Sequence, residues 1–119
     1  MNAAEIHAMS DDQLRVAIAE RLGWSRMHAF IHHKDESLLF GNPPDGKTFE
    51  RVPNWPTDLN AAAELEFNGI GLMFMFGKDD RGWWFEVVKP EPRVTSWFCA
   101  TEPRARAEAW LMWYKETHK

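Results

Sequence analysis

The segment Ile70-Gly-Leu-Met-Phe-Met-Phe76 carries no charged and no hydroxyl side chain. In an extended chain, successive side chains point to opposite faces. Ile70, Leu72, Phe74 and Phe76 therefore share one face, and Met73 and Met75 take the other. A sheet with one wet face alternates apolar and polar residues, and a strand covered on both sides does not. This segment predicts an inner strand with helices above and below it. The fold class expected from it is α/β of the α+β type, a three-layer α-β-α sandwich with a mostly antiparallel sheet.

Toward the C-terminus, Lys78-Asp-Asp-Arg-Gly82 has the composition of a hairpin loop. Residues 83–89 read as the next strand, apolar on both faces apart from Glu86. Pro90-Glu-Pro92 turns the chain, and residues 94–100 read as the last strand. Connections this short cannot make parallel crossovers, so the three strands are expected to form an antiparallel meander. Thr101 caps a closing helix with Pro103 in its first turn, where the missing N–H costs nothing. Ala107, Trp110, Leu111 and Tyr114 form the stripe expected to pack on the sheet. Ala105, Ala109 and Met112 lie opposite, with Trp113 at the margin. A helix apolar on two sides is either sunk deeply or touches a second chain.

Toward the N-terminus, Thr57 and Asp58 open a helix over residues 58–68, striped by Leu59, Ala62, Ala63 and Phe67. Ser10 and Gln13 have the spacing of a capping box, and a helix over residues 11–22 follows, stopped by Gly23. Residues 3–8 fit an earlier turn. Between these helices, residues 26–33 and 37–40 read as strands, 41–46 as a loop and 47–50 as a short edge strand. Pro53 and Pro56 bracket Trp55 and exclude regular structure there. The expected order is α-β-β-α-β-β-β-α, in a single domain over residues 1–119.

Composition narrows the function classes. A chain of 119 residues suits one domain. Cys99 is the single cysteine, so neither an intrachain disulfide nor a Cys-rich zinc site can form. Residues 1–25 lack the basic start and apolar run of a secretory leader. No run approaches the ~20 apolar residues of a membrane span, so a cytoplasmic location is expected. The 18 acidic and 14 basic side chains leave a net charge of −4. Phosphate neutralisation supplies much of the affinity for nucleic acid, which disfavours that partner. The 7 Trp and 8 Phe divide between core packing and an interface, with another protein or with a second copy.

Several side chains are candidates for chemistry. His28, His32 and His33 cluster near Asp35 and Glu36. His28 and His32 would share a strand face, where two imidazoles and a carboxylate suit a transition metal. The signal is weak, because Ala29 stands where a zincin motif has Glu. Ser96 lacks a nucleophile elbow, and Cys99 between Phe98 and Ala100 reads as a small core residue. Glu86, on an otherwise apolar strand, is expected to pair with Arg93 or Arg104. Arg93, Arg104 and Arg106 make a small basic cluster suited to an anionic ligand. Among the tryptophans, Trp55, Trp84 and Trp113 are the candidates for an interface, since Trp anchors binding surfaces. No cofactor and no catalytic residue is expected.

Four stretches carry a likeness: Leu22-Gly23-Trp24, the phrase Val52-Pro-Asn-Trp-Pro-Thr-Asp-Leu-Asn-Ala-Ala62, the Trp83-Trp84 strand, and Ala100-Thr-Glu-Pro-Arg-Ala-Arg-Ala-Glu-Ala-Trp-Leu111. In them the chain resembles the phage ABA sandwich domain family and, more loosely, the NinX-like phage proteins. The likeness covers most of the chain and is least between Met27 and Arg51. It implies a three-layer α-β-α sandwich and a phage or prophage origin, with the host cytoplasm as location. It implies no enzyme activity. The expected function is a non-enzymatic accessory protein that binds a protein partner, such as a host defence factor. The alternatives are a small-molecule or nucleotide sponge and, less favoured, a hydrolase holding a metal on His28 and His32.

Overall fold

Ser10 makes the capping box that its spacing announces. Its hydroxyl accepts from the Gln13 backbone N–H at 3.1 Å, and Gln13 Oε1 accepts from the Ser10 N–H at 2.9 Å. Helix α2 (Asp11–Arg21) starts there, preceded by the short α1 (Ala3–His7). The computed structural model describes residues 3–31, 37–46, 48–68 and 73–118. Strands β1 (Ser25–Ile31), β2 (Ser37–Asn42) and β3 (Glu50–Arg51) form one antiparallel sheet in that order. Helix α3 (Leu59–Asn68) follows. Strands β4 (Met73–Asp79), β5 (Gly82–Lys89) and β6 (Val94–Thr95) form a second antiparallel sheet in order, and α4 (Glu102–Thr117) closes the chain. The described residues thus make an α+β fold of four helices and two three-stranded antiparallel sheets.

Three local features depart from the expected elements. The hairpin is tighter, because β4 and β5 pair as far as Asp79 opposite Gly82, leaving Asp80 and Arg81 as its turn. The Asp79 carboxylate accepts from the Arg81 guanidinium at 2.7 Å and from its backbone N–H at 2.8 Å, which holds the Asp79 pKa below the usual range. The last strand is shorter than residues 94–100. Ser96 returns two bonds to Phe85, one through its hydroxyl. Trp83 and Cys99 exchange both backbone bonds further on, with one extra residue accommodated between. That slip leaves Trp97 50 % exposed. The order also gains α1 and the two-residue β3.

The closing helix is sunk deeply. Ala105, Ala109 and Trp113 pack with Phe85, Val87 and Val94 of the second sheet. On its other flank, Ala107, Trp110 and Leu111 join Leu14 and Ile18 of α2 and Leu65 of α3. The expected orientation is therefore reversed: the sheet lies on the Ala105/Ala109 side. Both sides are apolar, so periodicity cannot rank them; small side chains let the sheet approach the helix axis closely. The first sheet reaches the same interior through Leu39, with Val52 beside it.

The three-layer expectation meets its clearest departure at β4. Phe74 tilts against Phe85 and Phe76, itself 50 % exposed, stacks on it, on the α4 side of the sheet. Met75 stands opposite Glu86, on the other side, and is 52 % exposed. Met73, beyond a register shift, is 55 % exposed. No described helix covers these two methionines.

Gly82 sits at φ +121°, and a Cβ there would lie 2.5 Å from the Cys99 carbonyl oxygen. Gly46, at φ +70°, has nothing within 4 Å of its Cβ position. Gly46→Ala should therefore cost about 1 kcal/mol, the left-handed penalty alone. Gly82→Ala should cost distinctly more, because the backbone pairing of Trp83 with Cys99 must also give way. Urea unfolding of the two variants measures both losses.

Candidate functional site

Glu108 is a carboxylic acid in the middle of α4 with no exposed surface. Burying such a charge is costly unless it is paired and hydrogen-bonded. Arg104, one turn earlier, donates from Nε to Glu108 Oε2 at 2.6 Å. Its Nη1 reaches Asp11 Oδ1 at 2.8 Å, and its Nη2 donates to the Met9 carbonyl at 2.6 Å and to the Ile6 and His7 carbonyls at 3.3 Å. Burial works against the Arg104 charge, but the bonds to Glu108 and Asp11 outweigh it and raise its pKa. One guanidinium thus binds the carbonyls at the end of α1 and neutralises an acid in α4. A five-residue helix is too short to hold itself together in water, so α1 depends on these bonds.

Two further groups converge on Glu108. His7 Nδ1 lies 3.1 Å from both carboxylate oxygens. Cys99 Sγ lies 3.2 Å from Oε2 and 3.9 Å from His7 Nδ1. The Trp97 ring lies over His7, with centroids 5.4 Å apart. Cys, His and Glu together invite comparison with a nucleophilic triad, but the geometry differs. A triad uses one imidazole nitrogen for the nucleophile and the other for the acid. Here both neighbours address Nδ1. Burial, with Glu108 beside it, also pushes the Cys99 thiol well above its ordinary pKa. A thiol held in its protonated form is a poor nucleophile. Among the described residues, His7, Cys99 and Glu108 are the group whose donor atoms are close enough to share a metal ion, all within 4.8 Å of one another.

The residues singled out from the sequence scatter. Trp55 and Trp113 are buried, at 3 % and 7 % exposure, so neither offers a surface. Trp55 belongs to the interior shared with α2, and Trp113 donates its indole N–H to the Pro90 carbonyl at 2.8 Å. Trp84 is half-buried and rests on Gly77, where an added Cβ would come within 2.9 Å of the indole. Arg93 pairs with Glu86, one of the two partners expected for that acid. Arg104 belongs to the Glu108 network. Arg106 pairs with Glu102 at 3.0 Å and lies over the Phe85 ring at 4.8 Å. The three arginines do not form one cluster. Arg104 and Arg106 are two residues apart on a helix and point to different sides. Glu86 and Phe85 point to opposite faces of the sheet, which separates Arg93 from Arg106. The hollow that Arg106 lines with Phe74, Phe85 and Trp110 holds about 10 Å³, room for one water and not for a nucleotide.

His28 is exposed, 6.3 Å from the Phe49 ring. His32, His33, Asp35 and Glu36 lie outside the described residues. Among the described residues, no helix is long and apolar enough to cross a membrane. Protein-family models, curated proteins and solved structures offer no match to this chain.

Removing the acid leaves the 12 % exposed Arg104 side chain without its closest counter-charge. Breaking one side of a buried pair costs about 3–5 kcal/mol. Glu108→Ala should lose stability of that order in urea unfolding and expose the backbone of α1 to hydrogen exchange before the rest of the chain. An α1 that stays as protected as in the wild type would contradict the tether.

Proposed function

We propose that this is a non-enzymatic binding protein and that its working surface is the outer face of the second sheet. The observation that carries the reading is Met75, more than half exposed on a strand whose other face packs on the core through Phe74. Around it lie Trp84, pinned on Gly77, and Val88, with the Glu86–Arg93 ion pair beside them. Methionine adapts its shape to a partner, and Trp anchors one. The ion pair leaves the patch without net charge, which suits an apolar protein surface better than a phosphate backbone or an anionic membrane. The chain's overall charge of −4 favours the same choice. The third layer of the α-β-α sandwich is supplied on this reading by the partner, whose apolar surface covers Met73 and Met75. The resemblance to phage ABA sandwich proteins supports a phage or prophage origin and a host protein, such as a defence factor, as that partner. A nucleotide sponge has less support, because Arg93, Arg104 and Arg106 are dispersed.

Met75→Lys tests the surface, since a change at an exposed position should alter stability by no more than about 0.5 kcal/mol. Wild type and variant serve as parallel baits in quantitative affinity capture from a bacterial lysate, with sedimentation of each alone. The expected result is a stoichiometric partner held by the wild type and lost by Met75→Lys, the purified pair losing at least about tenfold in affinity. A wild-type dimer that dissociates in the variant would make a second copy the covering layer instead. Two baits with identical captures and identical masses would refute the surface.

A further inference from the structure

We propose that His7, Cys99 and Glu108 form a binding site for one zinc-class divalent transition-metal ion. The three donors come from three separate parts of the fold: α1, the segment after β6, and α4. Their separations are 3.1 Å between His7 Nδ1 and Glu108 Oε2, 3.2 Å between Glu108 Oε2 and Cys99 Sγ, and 3.9 Å between Cys99 Sγ and His7 Nδ1. Zinc bonds of about 2.0–2.3 Å in a tetrahedron set such donors about 3.4–3.6 Å apart. Each observed separation is within a few tenths of an ångström of that edge, and the flexible His7 and Glu108 side chains supply the adjustment.

The trio holds more acceptor positions than protons. Cys99 has one thiol proton but two acceptors in reach, Glu108 Oε2 and the Trp97 carbonyl at 3.2 Å. His7 Nδ1 holds at most one proton, yet both carboxylate oxygens and the sulfur face it. Such convergence of donor lone pairs is what a cation collects. Thiolate, imidazole and carboxylate together select zinc and its neighbours over magnesium or calcium, which take oxygen ligands. Glu108 has two oxygens and about four lone-pair sites, so Arg104 stays bonded to it while a metal binds. Arg104 then plays the part of the outer partner that orients a ligating carboxylate. On binding, the Cys99 S–H bond gives way to a sulfur–metal bond and the proton leaves to solvent. His7, with a side chain 35 % exposed, is the open side of the trio, where a water completes the tetrahedron. The site lies on the α4 side of the second sheet, away from Met75, so it stands or falls independently of the docking surface.

Cobalt(II) is the probe, because thiolate ligation gives it a charge-transfer absorption in the near ultraviolet. Cys99 is the single cysteine, so such a band can arise from no other residue. The full chain, first stripped with a chelator, should develop the band on titration, saturate at one equivalent, and lose the band to added zinc. Cys99→Ser should abolish it, and His7→Ala should weaken uptake by at least about tenfold, since even outer partners of ligands are worth that much. His28→Ala should leave the titration unchanged. If Cys99→Ser fails to fold, the wild-type band and its weakening in His7→Ala still decide the matter. No band at tenfold excess cobalt, or equal affinity in wild type and His7→Ala, would overturn the site.

Discussion

Burial of α4 on both flanks is the constraint on which the rest of this structure depends. Ala105, Ala109 and Trp113 meet the second sheet, and Ala107, Trp110 and Leu111 meet α2 and α3. Neither flank has an alternative partner among the described elements. Fully burying a large aliphatic side chain is worth about 1.5–3 kcal/mol, so the two interiors together pin the helix by many times the thermal energy. Glu108 fixes what apolar packing leaves free. Its carboxylate, through Arg104 and His7, ties α1 to the helix at a defined height and turn. Arg15 does a similar service elsewhere. It is fully buried in α2 and donates to the Pro53 carbonyl at 3.2 Å and to the Val52 carbonyl, which holds the proline-bracketed loop against the helix. Burial lowers its pKa from the usual guanidinium value, and the nearby charge of Arg51 adds to that.

The sequence made the starts of α2 and α4 legible because caps are local, whereas α3 is capped by Asp58, whose carboxylate accepts from the Asn60 and Ala61 N–H groups, and not by the expected Thr57. Ser10 with Gln13, and Thr101 with Pro103, act through groups within a turn of each other, and both caps form. The antiparallel hairpin was legible for the same reason. What alternation could not reveal was the occupant of each face. Residues 70–76 read as doubly covered because methionine and phenylalanine are apolar alike; residues 70–72 lie outside the described residues, and at Met73 and Met75 apolarity does not distinguish a covered face from an open one. In α4 the two stripes were visible and their targets were not. For Trp55 and Trp113 composition leaves core packing and an interface both open, and the structure puts both rings in the core, because a large ring also fills space between elements.

The candidate site was less legible than the fold. His7 and Glu108 are 101 residues apart. Arg104 and Glu108 are four apart on a helix, a spacing that puts them on one face but carries no information on burial. Cys99 reads as core, and it is core, at 2 % exposure. Its meeting with an imidazole and a carboxylate is a product of tertiary packing. The outer face that bears Met75 and the Glu108 cluster lie on opposite sides of one sheet, and α4 holds the second of them in place while leaving the first uncovered.

The most direct measurement of this account is urea unfolding of Leu111→Ala and Val87→Ala, one cavity in each interior. Each variant would be followed by far-ultraviolet circular dichroism and tryptophan fluorescence. Burial of α4 on both flanks makes the chain one cooperative unit, so each variant should show a single transition, coincident by both probes. Leu111→Ala should lose about 2–5 kcal/mol. Two separated transitions, with one interior melting while the other persists, would contradict the helix as their shared element.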